Sequence, residues 1–379
     1  MIKILMIGTV ASSFYSFRAD LIHTLINKGH QVYAFTSEYT AEDLKKIEQL
    51  GAIPVTYTLN RGGLNPIADI KQTYLLAKQI KEINPDLVFS YFVKPVIFGT
   101  LAAKIAKVPK TIGMLEGLGY TFTDQPEGLS KKTKLIKKIQ VFLYKISLPF
   151  LDKVIFLNPD DPKDLLEKYN IKVRKMEILG GIGLNLTDYP YQCINHGRVN
   201  KKVTFLFIGR LLKEKGIHDF VVASKIVKAL YPETTFTVLG SIDAANMGAL
   251  MQSELDDLIN TEVINYPGHV NNVKDWIVDS DVFVLPSYRE GVPRSTQEAL
   301  AIGRAIITTD VPGCRETVIN DVNGFLVPKW NPEALAEKMI YFIEHPEKIS
   351  VMGAESYKIA VEKFDAEKVN QRLINMLGL

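Results

Sequence analysis

Cysteine is scarce in this sequence, which contains only Cys193 and Cys314, and the two lie far apart in a chain of 379 residues. This usage predicts a protein of a reducing compartment and offers no metal-ligand pattern. Long apolar runs are also missing, whereas a transmembrane helix needs about 18 such residues. The apolar start, residues 1–8, is too short for a signal peptide and predicts a first strand. We therefore expect a cytoplasmic protein.

A large excess of one charge is absent as well, because 45 Lys and Arg oppose 42 Asp and Glu, for a net charge of +3. Nothing in this balance requires a nucleic-acid partner, and no nucleic-acid-binding module is recognisable. The hydrophobic fraction of 47% is that of a globular protein. A chain of 379 residues is too long to fold around one hydrophobic core of ordinary size. Two domains are therefore predicted, with a boundary in the polar stretch 191–201.

Short apolar runs alternate with helical patterns along the chain, which predicts an α/β fold with parallel sheets. The predicted strands cover residues 3–7, 31–36, 53–58, 87–90, 110–114, 153–156 and 175–178, then 202–208, 235–239, 263–266, 281–286, 305–309 and 324–327. The predicted helices include residues 17–28, 41–50, 67–83, 273–278, 332–344 and 366–377. The first turn lacks a G-x-G-x-x-G fingerprint, so a dinucleotide site is not supported.

The most informative stretch, residues 287–300, follows a buried strand and opens a helix, with Pro293 in the predicted first turn. Such a turn presents backbone N–H groups at the carboxyl edge of a sheet, where α/β folds bind phosphate. Glu290 and Glu298 frame the turn, so both carboxylates can face one crevice. Carboxylates beside an anion site can accept hydrogen bonds from the hydroxyl groups of a sugar and of a ribose. The alternative is an ordinary strand–loop–helix with surface acids.

A basic segment follows the predicted strand 202–208 and contains Gly209, Arg210, Lys215 and Gly216. Both cations can reach a nucleotide diphosphate and stabilise the charge that grows on it when a carbon–oxygen bond breaks. The alternative is a pair of surface basic residues. The histidines and cysteines show no metal-ligand spacing, so we expect no metal and no cofactor apart from the donor substrate.

These two segments resemble the E-x7-E and G-R-x-x-x-x-K-G motifs of the retaining glycosyltransferases of family 4, which have the GT-B fold. The sequence Glu116-Gly-Leu-Gly resembles a subgroup that extends lipid-linked N-acetylhexosamines in bacterial N-glycan, O-antigen and capsule assembly. Many members carry a histidine in this region, and this chain does not. The resemblance implies two Rossmann-like domains facing a cleft: 1–197 for the acceptor and 198–362 for the nucleotide sugar. It also implies that a C-terminal helix, about 363–379, packs back on the first domain.

By this resemblance the chain moves a hexose derivative, GalNAc or GlcNAc, from a UDP-sugar to an undecaprenyl-diphosphate-linked sugar with retention of configuration. The implied catalytic residues are Arg210, Lys215, Glu290 and Glu298. The implied donor-binding residues are Gly8, Gly209, His269, Val270, Gly291 and Val292. The alternatives are a UDP-N-acetylglucosamine 2-epimerase of the same fold and a non-catalytic sugar-nucleotide-binding protein.

The first half contains candidates for the acceptor side. Arg18 follows the first turn and Glu116 follows a buried strand, although a solvated helix position for Arg18 and a loop-structuring role for Glu116 are equally open. Residues 129–144 combine an apolar stripe, Leu135, Ile139 and Phe142, with Lys131, Lys132, Lys134, Lys137 and Lys138. A basic amphipathic helix suits an anionic bilayer and a polyprenyl diphosphate head group. Peripheral contact with the inner face of the cytoplasmic membrane is therefore predicted, and packing of the stripe on the domain is the alternative.

Overall fold

The computed structural model describes residues 1–58, 66–194, 202–244 and 246–379, which form two compact units. Unit 1 comprises Met1–Phe122, Leu129–Ile182 and Glu367–Leu379. Unit 2 comprises Thr123–Gly128 and Gly183–Ala366. The boundary expected between residues 197 and 198 lies outside the described residues.

Unit 1 is built on a seven-stranded parallel sheet with the order β3-β2-β1-β4-β5-β6-β7. Its strands are β1 (Lys3–Ile7), β2 (Gln31–Thr36), β3 (Ile53–Thr56), β4 (Leu87–Tyr91), β5 (Lys110–Leu115), β6 (Lys153–Phe156) and β7 (Met176–Ile178). Its helices up to this point are α1 (Ser12–Tyr15), α2 (Ala19–Asn27), α3 (Ala41–Gln49), α4 (Pro66–Ile83), α5 (Thr100–Ile105), α6 (Lys131–Ser147) and α7 (Asp160–Pro162).

Helices α4, α5 and α6 pack on one apolar core of unit 1. Ile80 of α4, Ala102 of α5 and Tyr144 of α6 belong to the same buried cluster as Val88 of β4 and Val154 of β6. Strands β4 and β5 are buried along nearly their whole length, which explains why they read as continuous apolar runs rather than as alternating patterns.

Unit 2 is built on a six-stranded parallel sheet with the order β10-β9-β8-β11-β12-β13. Its strands are β8 (Thr204–Ile208), β9 (Thr235–Leu239), β10 (Asn265–Gly268), β11 (Val282–Leu285), β12 (Ala305–Thr309) and β13 (Gly324–Val327). The remaining helices are α8 (Ile217–Leu230), α9 (Gln252–Ile259), α10 (Val273–Asp279), α11 (Arg294–Ile302), α12 (Pro332–Glu344), α13 (Glu347–Ile359) and α14 (Ala366–Leu377). All but the first residue of α14 belongs to unit 1, where the Lys153 ammonium donates to the Met376 carbonyl.

Each sheet has one topological switch point. In unit 1 the strand order reverses between β1 and β4, and in unit 2 it reverses between β8 and β11. Loops that leave the carboxyl ends of the two flanking strands diverge there, which makes the switch point the usual ligand crevice of a Rossmann-like fold. Both units are therefore Rossmann-like, and the structure confirms the predicted α/β class.

Three local predictions are wrong in detail. The strand expected at 263–266 is observed as Asn265–Gly268, because Glu262 takes a left-handed conformation (φ 56°) and the turn around it delays the strand. Pro293, expected in the first turn of its helix, is instead the N-cap residue of α11 in an extended conformation (φ −66°, ψ 127°). The helix expected from residue 17 begins at Ala19, which makes Arg18 its N-cap residue.

Candidate functional site

The turns after β8 and β11 flank the switch point of unit 2 and are locked together by backbone contacts. The Tyr288 N–H donates to the Glu214 carbonyl over 2.8 Å. Gly216 lies in the left-handed region (φ 73°), and a Cβ there would stand 2.0 Å from the Pro286 carbonyl oxygen. A glycine is required at this position, because any side chain would push the two turns apart.

The central feature of this crevice is an ion pair between Lys215 and Glu290, 75 positions apart in sequence. Glu290 Oε1 also accepts a hydrogen bond of 2.7 Å from Ser287 Oγ. The Lys215 side chain is 17% exposed and that of Glu290 is 10% exposed, so the pair is largely withdrawn from water and only partly screened. The predicted cation of one segment and the first predicted glutamate of the other thus meet at the switch point.

The turn that carries Glu290 rests on the loop after β12. The Glu290 N–H donates to the Pro312 carbonyl over 3.0 Å. Gly313 has φ 80°, and a Cβ there would stand 2.4 Å from the carbonyl oxygens of both Glu290 and Gly291. Gly291 and Val292 are buried beside it. This close backbone approach fixes the height of the turn above the sheet.

Arg210 and Glu298 have partners of their own. The Arg210 guanidinium, half exposed, donates to Asp243 Oδ2 over 2.8 Å. Glu298 Oε1 accepts 3.0 Å hydrogen bonds from Tyr189 OH and from Arg294 Nε, one turn earlier on α11. Burial, followed by the charge of Glu298, raises the pKa of Tyr189 to about 12, so its hydroxyl stays a donor. The two glutamates therefore sit in separate hydrogen-bond environments.

Three adjacent strands of unit 2 end in glycine on the side of the β8 turn. Gly209 follows β8, Gly240 follows β9 and Gly268 ends β10. A Cβ on Gly240 would stand 1.9 Å from the Gly209 carbonyl oxygen, and the Gly240 N–H donates to the Gly268 carbonyl over 3.0 Å. His269, which is exposed, and Val270, which is half-buried, follow at this edge. The three glycines bring no side chains of their own to this edge, although Tyr266 OH donates to the Gly240 carbonyl over 2.8 Å.

Sequence reasoning missed one buried acid in the basic segment. Glu214 is 7% exposed, and within the described residues its Oε2 atom has no hydrogen-bond partner. Burial raises the pKa of Glu214, which lies between Arg210 and Lys215 in sequence. Its position inside the Gly209–Gly216 motif is the sequence feature that could have identified it as part of the site. Asp243, Tyr189 and Arg294 were also missed; only Arg294, four residues before Glu298, has a sequence signal.

The sequence contains one Asp-x-Asp triplet, Asp279-Ser280-Asp281, a pattern that can bind metal ions. It precedes β11 at the amino end, a strand length of roughly 13 Å from the Glu290 turn. Asp281 Oδ2 accepts hydrogen bonds of 2.9 Å from both the N–H and the hydroxyl of Thr204. Among the residues that the structure describes, no group of three His, Cys, Asp or Glu side chains is arranged to hold a metal ion.

The switch point of unit 1 is occupied by an ion pair between Arg18 and Glu116, 98 positions apart. The Arg18 guanidinium lies 3.7 Å from the centre of the Tyr91 ring, at the end of β4, and the side chain is only 3% exposed. The solvated position considered for Arg18 is therefore wrong. Glu116 is more accessible, with 13% of its side chain exposed. The structure brings together two candidates that the sequence placed separately.

Gly8 belongs to the same switch point for a steric reason. A Cβ on Gly8 would stand 2.4 Å from the hydroxyl oxygen of Tyr91, which itself lies 3.0 Å from Ser13 Oγ. Phe14, at the end of the first turn, is fully buried and packs edge-on against Tyr91 with 5.7 Å between ring centroids. The first turn thus closes over an aromatic core instead of presenting all its side chains to a ligand.

Helix α6 presents its apolar stripe to solvent. Leu135 is 59% exposed and Phe142 is 60% exposed, while Val141 and Tyr144 face the core. The alternative that the stripe packs on the domain is therefore wrong for Leu135 and Phe142, whereas Ile139, between them, is half-buried. Lys137 lies 4.5 Å from the centre of the Phe122 ring and is half-buried, and the other predicted lysines, Lys131, Lys132, Lys134 and Lys138, are exposed. No helix in the described part of the chain combines the length and apolarity needed to cross a bilayer.

Comparison with known proteins extends these observations. The family model "Glycosyl transferase 4-like" matches residues 3–158, and "Glycosyl transferases group 1" matches residues 194–359. A protein of Campylobacter jejuni, N,N'-diacetylbacillosaminyl-diphospho-undecaprenol alpha-1,3-N-acetylgalactosaminyltransferase, is 29% identical over 96% of this chain and 95% of its own length. An Escherichia coli UDP-Gal:alpha-D-GlcNAc-diphosphoundecaprenol alpha-1,3-galactosyltransferase is 27% identical over 69% of this chain and 67% of its own.

Solved structures share the fold over the whole chain. Anabaena HepE in complex with UDP and glucose superposes with a TM-score of 0.77 at 18% identity and covers 100% of both chains. Sucrose-phosphate synthase from Thermosynechococcus elongatus gives a TM-score of 0.79 at 16% identity, over 99% of this chain and 98% of its own. With both family models matched and the GT-B fold shared, the chain belongs to the family-4-like, group 1 glycosyltransferases.

Proposed function

We propose that this glycosyltransferase moves GalNAc or GlcNAc from a UDP-sugar to an undecaprenyl-diphosphate-linked saccharide, with retention at the anomeric carbon. The observation that carries the proposal is the Lys215–Glu290 pair at the switch point of unit 2. The near full-length likeness to the Campylobacter enzyme supports the sugar and the lipid carrier. The solved complex of HepE with UDP supports the nucleotide. Unit 2 would take the donor and unit 1 the acceptor.

Lys215 and Arg210 would hold the donor diphosphate. Lys215 is paired with the carboxylate of Glu290, and Arg210 is paired with that of Asp243. A diphosphate carries more charge than one carboxylate and can displace it, leaving Glu290 to accept a hydrogen bond from a sugar hydroxyl. The N–H groups at Gly291 and Val292 would then help to orient the donor at the start of α11.

The nucleoside would lie along the glycine row. Glu298 is proposed to accept hydrogen bonds from the ribose hydroxyls, because Tyr189 and Arg294 hold its carboxylate in one orientation. The base would lie against main-chain groups near Gly209, His269 and Val270 at the ends of β8 and β10. Recognition through backbone and glycine positions suits a planar base, which needs space more than charge.

The transfer requires no protein nucleophile. The bond between the anomeric carbon and the β-phosphate oxygen breaks, and its electron pair goes to UDP. The acceptor hydroxyl oxygen forms the new bond on the same face, and its proton passes to the departing phosphate oxygen. Lys215 and Arg210 stabilise the charge on that phosphate as it develops, which is the contribution expected of preorganised cations. Retention follows from attack on the face that the phosphate leaves.

Unit 1 would place the acceptor through Glu116. Its carboxylate is fixed by Arg18, which is itself held by the Tyr91 ring and shielded from water. Such a buried cation orients the carboxylate, so that its accessible lone pairs can accept a hydrogen bond from the acceptor. Arg18 thus acts through Glu116, and Gly8 leaves room for Tyr91 beneath both.

Helix α6 would attach the enzyme to the membrane that carries the acceptor. Its exposed face carries Leu135, Phe142 and Ile146, all more than 40% exposed, flanked by lysines. This combination fits an anionic bilayer surface, where each lysine contributes roughly 1 kcal/mol and the apolar side chains enter the head-group boundary. The proposed location is the inner face of the cytoplasmic membrane.

The double variant Leu135→Ser/Phe142→Ser is expected to weaken binding to vesicles of phosphatidylglycerol and phosphatidylcholine by roughly 10-fold, since it removes two apolar insertions. Co-sedimentation measures the bound fraction. The matched control is Met251→Ser/Val351→Ser, which changes two exposed apolar residues of unit 2 that are 63% and 56% exposed. Equal vesicle binding by the wild type and both double variants would show that α6 does not contact the membrane.

The proposed function is tested by UDP release from UDP-GalNAc, UDP-GlcNAc, UDP-Gal and UDP-Glc, with and without a polyprenyl-diphosphate N-acetylhexosamine. We expect release that depends on the lipid and prefers one N-acetylated donor. EDTA should leave the rate unchanged, because Arg210 and Lys215 supply the positive charge. Conversion of UDP-GlcNAc to its 2-epimer without an acceptor would establish the epimerase instead. UDP binding without any turnover would establish a binding protein.

A further inference from the structure

Glu214 is a buried carboxyl group of unit 2 that the proposed transfer does not use. It lies in the short turn Lys213–Lys215 after β8, and the residue is 7% exposed. Its main-chain carbonyl accepts the Tyr288 N–H over 2.8 Å, so the turn after β11 fixes its position. Within the described residues its Oε2 atom has no hydrogen-bond partner. An ionised carboxyl group in such a place is costly, and burial therefore favours the neutral acid.

The charged groups that act on Glu214 are those of the candidate donor site. They are Lys215, Arg210 and Glu290. Each cation is paired with another carboxylate, Lys215 with Glu290 and Arg210 with Asp243. Burial raises the pKa of Glu214, against the opposing effects of its own N–H, of Lys215 and of Arg210, and Glu290 adds to the rise. Further negative charge at these cations would therefore favour the protonated form of Glu214 still more.

The donor diphosphate would bring that charge. In the proposed function it is held by Lys215 and Arg210, where it offsets the positive charge that favours an ionised Glu214. An ionised Glu214 repels the diphosphate, and a protonated one does not. Because the carboxyl group is withdrawn from water, solvent screens this repulsion only weakly. Donor binding and protonation of Glu214 therefore favour each other, and by linkage each strengthens the other equally.

We propose that Glu214 is the proton-binding residue of the donor site, and that the donor diphosphate binds with this carboxyl group protonated. An ionised Glu214 takes its proton from a buffer acid when the donor binds, and no bond of the donor changes. The inference rests on the proposed function only in placing the diphosphate at Lys215 and Arg210. Glu214 acts on the donor through its charge and contributes no atom to the transfer.

The test is calorimetric titration of the full chain with UDP-GalNAc and with UDP-GlcNAc, without acceptor, from about pH 5 to about pH 8. The diphosphate of these donors is esterified at both ends and exchanges no proton in this range. Repeating each titration in two buffers of different ionisation enthalpy gives the number of protons taken up. The wild type should take up part of one proton, and its affinity should fall by up to about 10-fold per unit of rising pH.

Glu214→Gln keeps the shape of the neutral acid and should take up no proton. Its donor affinity should stay at the low-pH value of the wild type, so that near pH 8 the variant binds more tightly than the wild type. The matched control is Glu254→Gln, because Glu254 pairs with Lys213 of the same turn over 2.8 Å. Its burial is outweighed by hydrogen bonds from Lys213 and the Met251 N–H, which lower the pKa of Glu254. The control should keep the wild-type proton uptake.

A wild type that takes up no proton, or Glu214→Gln that still takes one up, would overturn the inference, while lipid-dependent UDP release would still support the transferase. Glu214-dependent uptake without UDP release to any acceptor would sustain the inference and refute the transferase. Failure of both donors to bind would overturn both. In an active enzyme the donor KM should rise with pH in the wild type and stay constant in Glu214→Gln. An equal change in the acceptor KM would contradict a role at the donor site.

Discussion

Lys215→Ala is expected to lower acceptor-dependent UDP release by about 1,000-fold in kcat/KM, because it removes a preorganised cation from the phosphate that leaves. The Lys215 ammonium is mostly shielded from water, where a positive charge acts on a developing negative charge with little screening. Initial rates at several donor and acceptor concentrations separate kcat from KM. The larger part of the loss should appear in kcat, since charge on the phosphate is greatest in the transition state.

Lys213→Ala is the matched control for this variant. Lys213 lies two residues earlier in the same turn and pairs with Glu254 over 2.8 Å, with 40% of its side chain exposed. Its loss should change the rate by less than about 3-fold. Circular dichroism should show both variants folded, with melting temperatures within about 5 °C of the wild type. Wild-type activity in Lys215→Ala would show that the Lys215–Glu290 pair is not part of the active site.

Glu298→Ala is expected to lower kcat/KM by roughly 100-fold, mostly through a weaker donor complex, because two ribose hydroxyls lose a charged acceptor. Calorimetric titration with UDP alone checks this, since the ribose is present without the sugar. Glu298→Gln should recover part of the affinity, because the amide keeps one acceptor oxygen and the shape of the side chain. UDP affinity equal to the wild type in Glu298→Ala would contradict the ribose role.

Glu344→Ala controls for the loss of a tyrosine partner in the Glu298 experiment. Glu344 Oε1 accepts a hydrogen bond of 2.7 Å from Tyr231 OH, as Glu298 does from Tyr189, but it is the exposed last residue of α12. Its replacement should leave UDP affinity unchanged. Equal loss of UDP affinity in both variants would indicate a general loss of structure in unit 2 instead of a lost ribose contact.

Local patterns predicted the strands and the two chemical segments well. Strands such as β1, β2, β9 and β12 fall at their predicted bounds, because short β-branched and apolar runs between helical patterns have few other ways to bury their side chains. The glycines of the motifs were readable as turns, and the structure shows why Gly216 and Gly313 tolerate no side chain. The strand at Asn265–Gly268 was misplaced because an unpredicted left-handed residue, Glu262, precedes it.

Local sequence therefore settles where strands and motif turns occur, because those depend on neighbours within a few residues. It cannot say which turns meet, since strand order is a property of the folded sheet. Only the order β8-β11 brings Lys215 to Glu290, and only the order β1-β4-β5 brings Arg18 to Glu116. Helical spacing predicted the apolar stripe of α6. Which face of the helix is buried depends on its packing against the core, which buries Val141 and Tyr144 and leaves Leu135 and Phe142 exposed.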